Sequence, residues 1–453
     1  MKRKPYIFFL GVILSSSLYA QSMSLEDAIK EALLHNQQQA ISAQDRAIAK
    51  AKYKQALSAD LPSLDITLSA NRRDEPFVDE TKTVFDIPTS VPLLGGASLP
   101  VSYTHQVMGR DTQIAKAQMS YALYSGGKIS AYQKQAKAGM DFAKEESALT
   151  EAKIVLNVRK YYAAVILAQK LEALMEDTVQ KMRVTYELTE AFYKGASMKV
   201  KKTDYLRAKT TLLNMESMLA SFQNATQLAK SALCFEIGKG ANCEIEVQEK
   251  NSLTPDLSDS LEAYYQKLYT LNHQLKESEI GLEAKDAAID IAQSEYLPTV
   301  GLYANAQSLH NDEHGGIINS QNNDSWNIGA VITYNLFSGG KTQAKVQEAK
   351  AQKLKLKAQK AYLKSGLELQ AKEAYLNIQT AKRQEEVMKQ ALLSASQNSD
   401  LNLRAYKEEM VETKDVLESQ FIRSLTAAAL YKVEYQAAIN SAQLDYLIGE
   451  ALQ

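Results

Sequence analysis

The chain holds only 2 cysteines, 8 prolines and 1 tryptophan in 453 residues, and its 52 basic side chains are balanced by 53 acidic ones. Two cysteines with no matching ligand or base beside them support neither a zinc site nor a cysteine nucleophile. A formal charge of -1 gives no basic surface for nucleic acid. No run of about twenty apolar residues follows the extreme N-terminus, so no helix of the mature chain is fit to cross a bilayer. No nucleophile–base pair, metal cluster or cofactor fingerprint is present, and the chain reads as a protein without enzymatic activity or cofactor.

What is there begins with an export signal. Lys2, Arg3 and Lys4 precede an apolar run from Ile7 to Leu14, and Leu18-Tyr19-Ala20 offers a cleavage site. Residues 1–20 are therefore expected to be a signal peptide, whose loss takes the formal charge to about -4. Gln21 rather than Cys follows, so nothing points to N-terminal lipidation. An exported chain that crosses a membrane without apolar helices does so with strands. In an oxidising compartment Cys234 and Cys243 are expected to pair and staple the loop that ends the first half.

The chain is also doubled. Tyr124-Ser125-Gly126-Gly127-Lys128 returns as Phe337-Ser338-Gly339-Gly340-Lys341, and Leu61-Pro62 as Leu297-Pro298. Asn36 answers to Asn272, Tyr162 to Tyr375, Asp204 to Asp415, and Leu233…Ile237-Gly238 to Leu444…Ile448-Gly449. A first repeat over 21–238, a linker over 239–257 and a second repeat over 258–453 follow, and a doubled unit points to a ring or tube. Each half reads as helix, strand, loop, strand, very long helix, turn and return helix. The first helix opens at Ser24, an N-cap with Asp27 three residues on, and runs to about Ala59 before Pro62. Its counterpart runs from about Ser258 to Tyr296. After each Gly pair no proline interrupts the chain to Tyr193 or to Tyr406, which allows helices roughly 100 Å long. Val155, Val158, Tyr162 and Val165 keep the three-and-four spacing of a packed helix face. By reach, the first and return helices laid end to end match the long one.

Four segments alternate with period two, at about 63–72, 114–124, 299–308 and 326–337. Leu64, Ile66 and Leu68 alternate with Asp65, Thr67 and Ser69; Trp326, Ile328 and Ile332 alternate with Asn327, Gly329 and Thr333. That is the pattern of membrane barrel strands, against which stands a soluble sandwich with one buried face. Four strands cannot close in lipid, so several copies must share a barrel: two would give eight strands, three would give twelve with room for a lumen.

The doubled half, the Leu-Pro strand entry, the Ser-Gly-Gly exit and the closing Leu-x-x-x-Ile-Gly resemble the TolC-like outer-membrane efflux channels over essentially the whole mature chain. The resemblance implies a mainly α fold with a membrane β-barrel portion: a homotrimer, a twelve-stranded barrel in outer-membrane lipid, and an α-helical periplasmic tube. It implies a passive exit duct that docks on a periplasmic adaptor (membrane fusion) protein and an inner-membrane transporter, without nucleic acid. Exit of a secreted polypeptide (type I secretion) is the second reading, and a poreless periplasmic coiled-coil scaffold the third.

The family's gate pattern, a Tyr followed nine and twelve residues on by acids, falls on Tyr406, Asp415 and Glu418. Asp415 and Glu418 share a helical face, and three-fold symmetry would gather their carboxylates into a cation-selective ring. Thr203 and Asp204 match the partner site for gate-lock contacts with Tyr406. The family's Arg is Val411 here, with Lys407 or Lys414 as replacements. Gly195, Ala196, Ser197, Glu409 and Met410 fall at the adaptor-docking tips, with Glu409 where the second tip would carry Gly. Gly126, Gly127, Gly339 and Gly340 mark barrel-to-helix corners; the full phosphate-loop spacing is absent. His310 and His314 have ligand spacing only if helical, in what is expected to be a surface loop. The stretch from Arg72 to Thr112 is expected to be a long outer loop, acting as partial lid, epitope or plain insertion.

Overall fold

The structure, a computed structural model, describes residues 22–93, 95–195, 197, 199–248, 257–311 and 324–451. The signal at 1–20, Ala196, His314 and residues 249–256 of the linker lie outside the described residues. Eight helices are α1 (Leu25–His35), α2 (Gln37–Leu57), α3 (Lys128–Lys194), α4 (Lys202–Glu236), α5 (Leu261–Leu271), α6 (His273–Ser294), α7 (Lys341–Lys407) and α8 (Thr413–Ile448) among the described residues. The strands are β1 (Ser22–Met23), β2 (Ser63–Arg72), β3 (Phe77–Asp86), β4 (Ser98–Met108), β5 (Asp111–Tyr124), β6 (Glu246–Val247), β7 (Thr299–Asn311) and β8 (Asp324–Thr333). Both long helices have 67 residues, as an interior free of proline permits. No helix among the described residues is long and apolar enough to cross a membrane.

The chain divides into two compact units, each drawing on both halves of the sequence: Met1–Ala47, Phe142–Glu279 and Ala358–Gln453; and Ile48–Asp141 with Ile280–Lys357. In the first unit Ser24 caps α1, its hydroxyl accepting the Asp27 N–H at 3.1 Å and donating to the Asp27 carboxylate at 2.7 Å. The expected single first helix is broken at Asn36, and its counterpart at Asn272. Each Asn has extended backbone and does two jobs. Its side-chain oxygen caps the next helix, accepting from Gln38 N–H at 2.8 Å or Leu275 N–H at 3.1 Å. Its amide donates to the last carbonyls of a return helix, Glu236 O at 2.7 Å or Leu447 O at 2.8 Å. Both residues are buried, and the bonds satisfy groups that a helix terminus leaves open.

Beside each break ends a return helix, and there a glycine is required. Gly238 and Gly449 have φ of 79° and 78°. A Cβ on Gly449 would stand 2.7 Å from the Leu271 carbonyl oxygen, and one on Gly238 closer still to that of His35. The closing Ile-Gly of each half is thus a helix stop pressed on the break. Around these stops sit two cores: Ala28, Ile154, Val158, Tyr162, Val165, Leu233 and Ile237 in the first half, and Leu268, Leu275, Leu367, Ile378, Leu444 and Ile448 in the second. Cys234 and Cys243 are joined in a disulfide with Cα atoms 5.8 Å apart, closing the turn after α4. That turn leads to β6, which pairs in parallel with β1, and the Tyr162 hydroxyl reaches Met23 O at 3.1 Å and Gln248 O at 2.8 Å.

The halves are also tied across. Arg159 on α3 meets Asp445 on α8 at 2.6 Å, Lys170 meets Glu434 at 2.9 Å, and Arg423 meets Asp177 at 2.6 Å. Further along the same pair of helices the contact is uncharged and buried: Thr178 Oγ1 lies 2.7 Å from Ser424 Oγ, and Gln420 donates to Thr185 Oγ1 at 2.9 Å. Several buried polar atoms are left without a hydrogen-bond partner, Gln39 Oε1, Ser147 Oγ and Gln420 Oε1 among them. Glu277 on α6 has a buried carboxylate oxygen without a hydrogen-bond partner. Burial and the charges of Glu146 and Glu145 on α3 push its pKa up to about 7.

The second unit carries an antiparallel sheet of order β2-β5-β7-β8. Its strands fall on the four expected segments, with β5 and β7 extended by about three residues and β8 ending at Thr333, where Asn335 takes the Phe337 N–H into a turn. The stretch expected to be a loop instead forms a hairpin, β3 paired with β4 through Phe77–Asp86 and Ser98–Met108. Pro76, Pro88, Pro92 and Pro100 masked it. Only Pro100 lies in a strand, and a two-stranded ribbon offers it a free edge where no N–H is needed.

Candidate functional site

Register sorts the four-stranded sheet into rows. Leu64, Met119, Ala304 and Ile328 stand side by side, as do Ile66, Ala117, Ala306 and Trp326. The intervening row is Asp65, Gln118, Asn305 and Asn327, with Asn305 donating to Asn327 at 3.1 Å. Because successive side chains alternate, one face is apolar and the other polar. The apolar face has no cover: Ile66 is 71% exposed, Leu68 77%, Trp326 78% and Ile328 73%. The outer edges of β2 and β8 are unpaired among the described residues. A soluble sandwich would bury that face against a second sheet, and none lies on it among the described residues.

At the helix ends of this sheet, Ser125 and Ser338 cap α3 and α7 by accepting the N–H groups of Ile129 and Thr342 at 3.1 and 3.4 Å. The glycines between take φ of 64° and 82° at Gly126 and Gly127, and 62° and 82° at Gly339 and Gly340. Two consecutive left-handed residues turn a strand directly into a helix, which explains the repeated motif without a phosphate. His310 lies in β7, an extended segment and not a helix. No metal-binding group is formed among the described residues.

The turns joining long and return helices form the second locus, within the first unit. Asp204 and Asp415 are the third residues of α4 and α8, and each carboxylate accepts an N–H at the helix start, Lys201 at 3.0 Å and Glu412 at 3.1 Å. Both acids are therefore helix caps before they are anything else. Glu418 is exposed one turn on from Asp415, whose side chain is exposed too. Thr203 is exposed beside Asp204.

Tyr406 goes elsewhere. It is 2% exposed, and its hydroxyl lies 2.8 Å from Thr189 Oγ1 and 2.9 Å from Thr413 Oγ1. Phe192 packs edge-on against its ring at 5.6 Å. Within one chain the structure brings Tyr406 to Thr189 and Thr413, not to Thr203 or Asp204.

Glu409 stands just past α7. It ends α7 in the left-handed region, φ 55°, with Glu409 N–H donating to Tyr406 O at 3.0 Å and Met410 N–H to Ala405 O at 2.9 Å. That paired closure is the one glycine ordinarily makes, so the backbone here is held against its preference. Its side chain accepts from Ser197 Oγ at 2.9 Å, and its carbonyl accepts from Lys199 Nζ at 2.9 Å. The two turns are thus linked through Glu409. Gly195 closes α3 by donating to Ala191 O at 2.8 Å, and Met410 is 76% exposed. A cleft of about 730 Å³ opens between the turns, lined by Phe192, Lys199, Tyr406, Glu409, Met410 and Asp415. Sequence reasoning missed Thr189, Phe192 and Lys199; only Lys199, two residues past the tip Ser197, carried a readable signal, its charge.

A family profile described as outer membrane efflux protein matches residues 28–239 and 264–450. Among curated proteins the chain is 24% identical over 325 residues to nodulation protein T of Rhizobium leguminosarum bv. trifolii, covering 69% of this chain and 67% of that one. Among solved structures it is similar to a membrane protein from Pseudomonas aeruginosa (TM-score 0.75, 18% identity, 94% of this chain and 93% of the other). It is also similar to the outer membrane protein VceC of Vibrio cholerae (TM-score 0.72, 20% identity, 94% and 96%).

Proposed function

The chain belongs to the outer membrane efflux protein family, and from that premise we propose that three copies form the passive exit duct of a tripartite pump. Its place is the outer membrane and its work is transport, not catalysis. The observation that carries the reading is the bare apolar face of the β2-β5-β7-β8 sheet, with both edges open. In lipid such a sheet is stable only when edges meet edges of other copies. Three copies supply twelve strands, enough for a water-filled lumen lined by the Asp65, Gln118, Asn305 and Asn327 row. The two repeats supply the helices of the periplasmic part.

At the helix turns, Asp415 and Glu418 face the narrow end of the duct and favour cations. The Glu409 link to Ser197 and Lys199, together with the Tyr406 contacts, holds the turns together until an adaptor engages the tips at Gly195, Ser197, Glu409 and Met410. Small toxic compounds are the cargo. Deleting the gene is expected to sensitise cells to such compounds and to leave secreted proteins unchanged. Loss of a secreted polypeptide with unaltered drug sensitivity would instead select the secretion duct.

A further inference from the structure

The β3–β4 hairpin is not accounted for by a duct wall. It leaves the sheet as a direct extension of the β2–β5 ladder: Arg72 pairs with Asp111, Arg73 N–H donates to Arg110 O at 2.9 Å, and Phe77 pairs with Met108. Its base is buried and fixed, with Gly109 N–H donating to Asn311 Oδ1 at 2.6 Å and the Asn311 amide to Thr112 at 2.8 Å. Ten paired positions then project beyond the four-stranded sheet, a reach of about 30 Å at the rise of a strand. The far end is closed rather than frayed. Ile87 N–H donates to Ala97 O, Gly96 N–H returns to Ile87 O, both at 3.0 Å, and Gly95 N–H donates to Val91 O at 2.9 Å.

Polarity changes along this ribbon. The half near the sheet carries Asp79 and Glu80 beside exposed Phe77, Val78 and Tyr103, whereas the far half pairs Phe85 with Leu99, Val84 with Pro100 and Thr83 with Val101 between Lys82 and Asp86. Val84, Phe85, Val91, Leu93, Leu99 and Val101 are all exposed. A two-stranded ribbon is marginally stable alone, and a contiguous apolar knob on a fixed stem marks a contact surface. The free edge of β3 continues the free edge of β2. On the reading above, that edge is where a second copy joins, so the hairpins of neighbouring copies leave the barrel side by side.

We propose that the far halves of these hairpins pack on one another across the copies, forming an apolar lid that narrows the outer mouth of the duct. The inference rests on the trimeric channel reading. From Asp74 to Gly109 the hairpin carries Asp74, Glu75, Asp79, Glu80 and Asp86 against Lys82 alone, so the apolar packing works against like-charge repulsion that Arg72, Arg73 and Arg110 at the base reduce.

Two variants of the full chain test it. In Ser90→Cys the new thiol is the one unpaired cysteine, since Cys234 and Cys243 are bridged. A short bismaleimide added to intact cells is expected to join chains through it, and modification of single chains only would overturn the lid. In the second variant an Asn-Gly turn replaces residues 74–109, joining Arg73 to Arg110. During openings of the helix-turn end, single-channel conductance in planar bilayers is expected to rise about two-fold or more, because a constriction at the mouth adds resistance in series. Wild-type conductance that is normal and unchanged by the deletion removes the lid and leaves the channel. Absence of conductance from both proteins removes the channel reading and the lid with it.

Discussion

Glu409 concentrates the residue-scale argument, because one position carries both a backbone strain and a side-chain link. Its φ of 55° disfavours any side chain, while its carboxylate holds Ser197. Glu409→Gly and Glu409→Ala lose the link equally, but only glycine relieves the backbone. Thermal unfolding should rank the glycine variant above the alanine variant by about 1 kcal/mol, and both should open the duct more often than wild type. Equal stabilities would mean the turn is unstrained. Glu277 makes a different prediction. Its pKa is raised from the ordinary 4.5 to about 7 by burial and by Glu146 and Glu145. Tyr446 on α8 lies close enough to feel its charge, and His273, one turn back on α6, is 2.9 Å from Glu145. The folded state therefore holds a proton that the unfolded state releases, and stability declines as pH rises between those two values. Glu277→Gln should match wild type near the lower value and exceed it by about 1–2 kcal/mol above the upper one, with screening allowed for. Denaturant unfolding at both pH values checks this, and a constant difference between variants would contradict it.

At the scale of elements, the helix breaks and helix stops form one device used twice. Asn36 with Gly238, and Asn272 with Gly449, lock the end of a return helix onto the start of another. Gly449→Ala adds a Cβ 2.7 Å from Leu271 O on top of an unfavourable φ. Gly127→Ala meets the unfavourable φ with nothing within 4 Å. The first should cost about 2–3 kcal/mol and the second about 1, read as loss of thermal stability. A similar cost at both would deny the close approach. Much of this scale was legible beforehand. Uninterrupted helical spacing gave the 67-residue helices, and period-two alternation gave the four sheet strands. The matching of Asn36 with Asn272 was visible as a repeat, but not its purpose, since each Asn works through a carbonyl distant in sequence. The hairpin was hidden because prolines and a Gly pair dominated its reading, whereas tertiary pairing tolerates a proline at a free edge. The Tyr406 contact was illegible for the same reason as the Asn bonds: Thr189 lies in the other half of the chain.

At the scale of the whole molecule, the chain is incomplete by itself. Among the described residues its sheet has two open edges and an uncovered apolar face, its hairpin ends in an uncovered apolar knob, and α7 leaves Leu354, Tyr362, Leu369, Leu393 and Leu401 exposed. The proposed channel would satisfy the sheet and α7, because copies joined edge to edge would close the sheet and cover the helices while lipid takes the apolar face, and the proposed lid would cover the hairpin ends. On the proposed trimeric reading, Asp415 and Glu418 of the copies would form a ring whose charge the permeating ions must pass. The most direct measurement is the reversal potential of the purified protein in a planar bilayer under a salt gradient. The account predicts discrete channels with a cation-selective reversal potential that moves toward zero in the Asp415→Ala, Glu418→Ala double variant. Absence of channels, or selectivity unaltered in that variant, would contradict it.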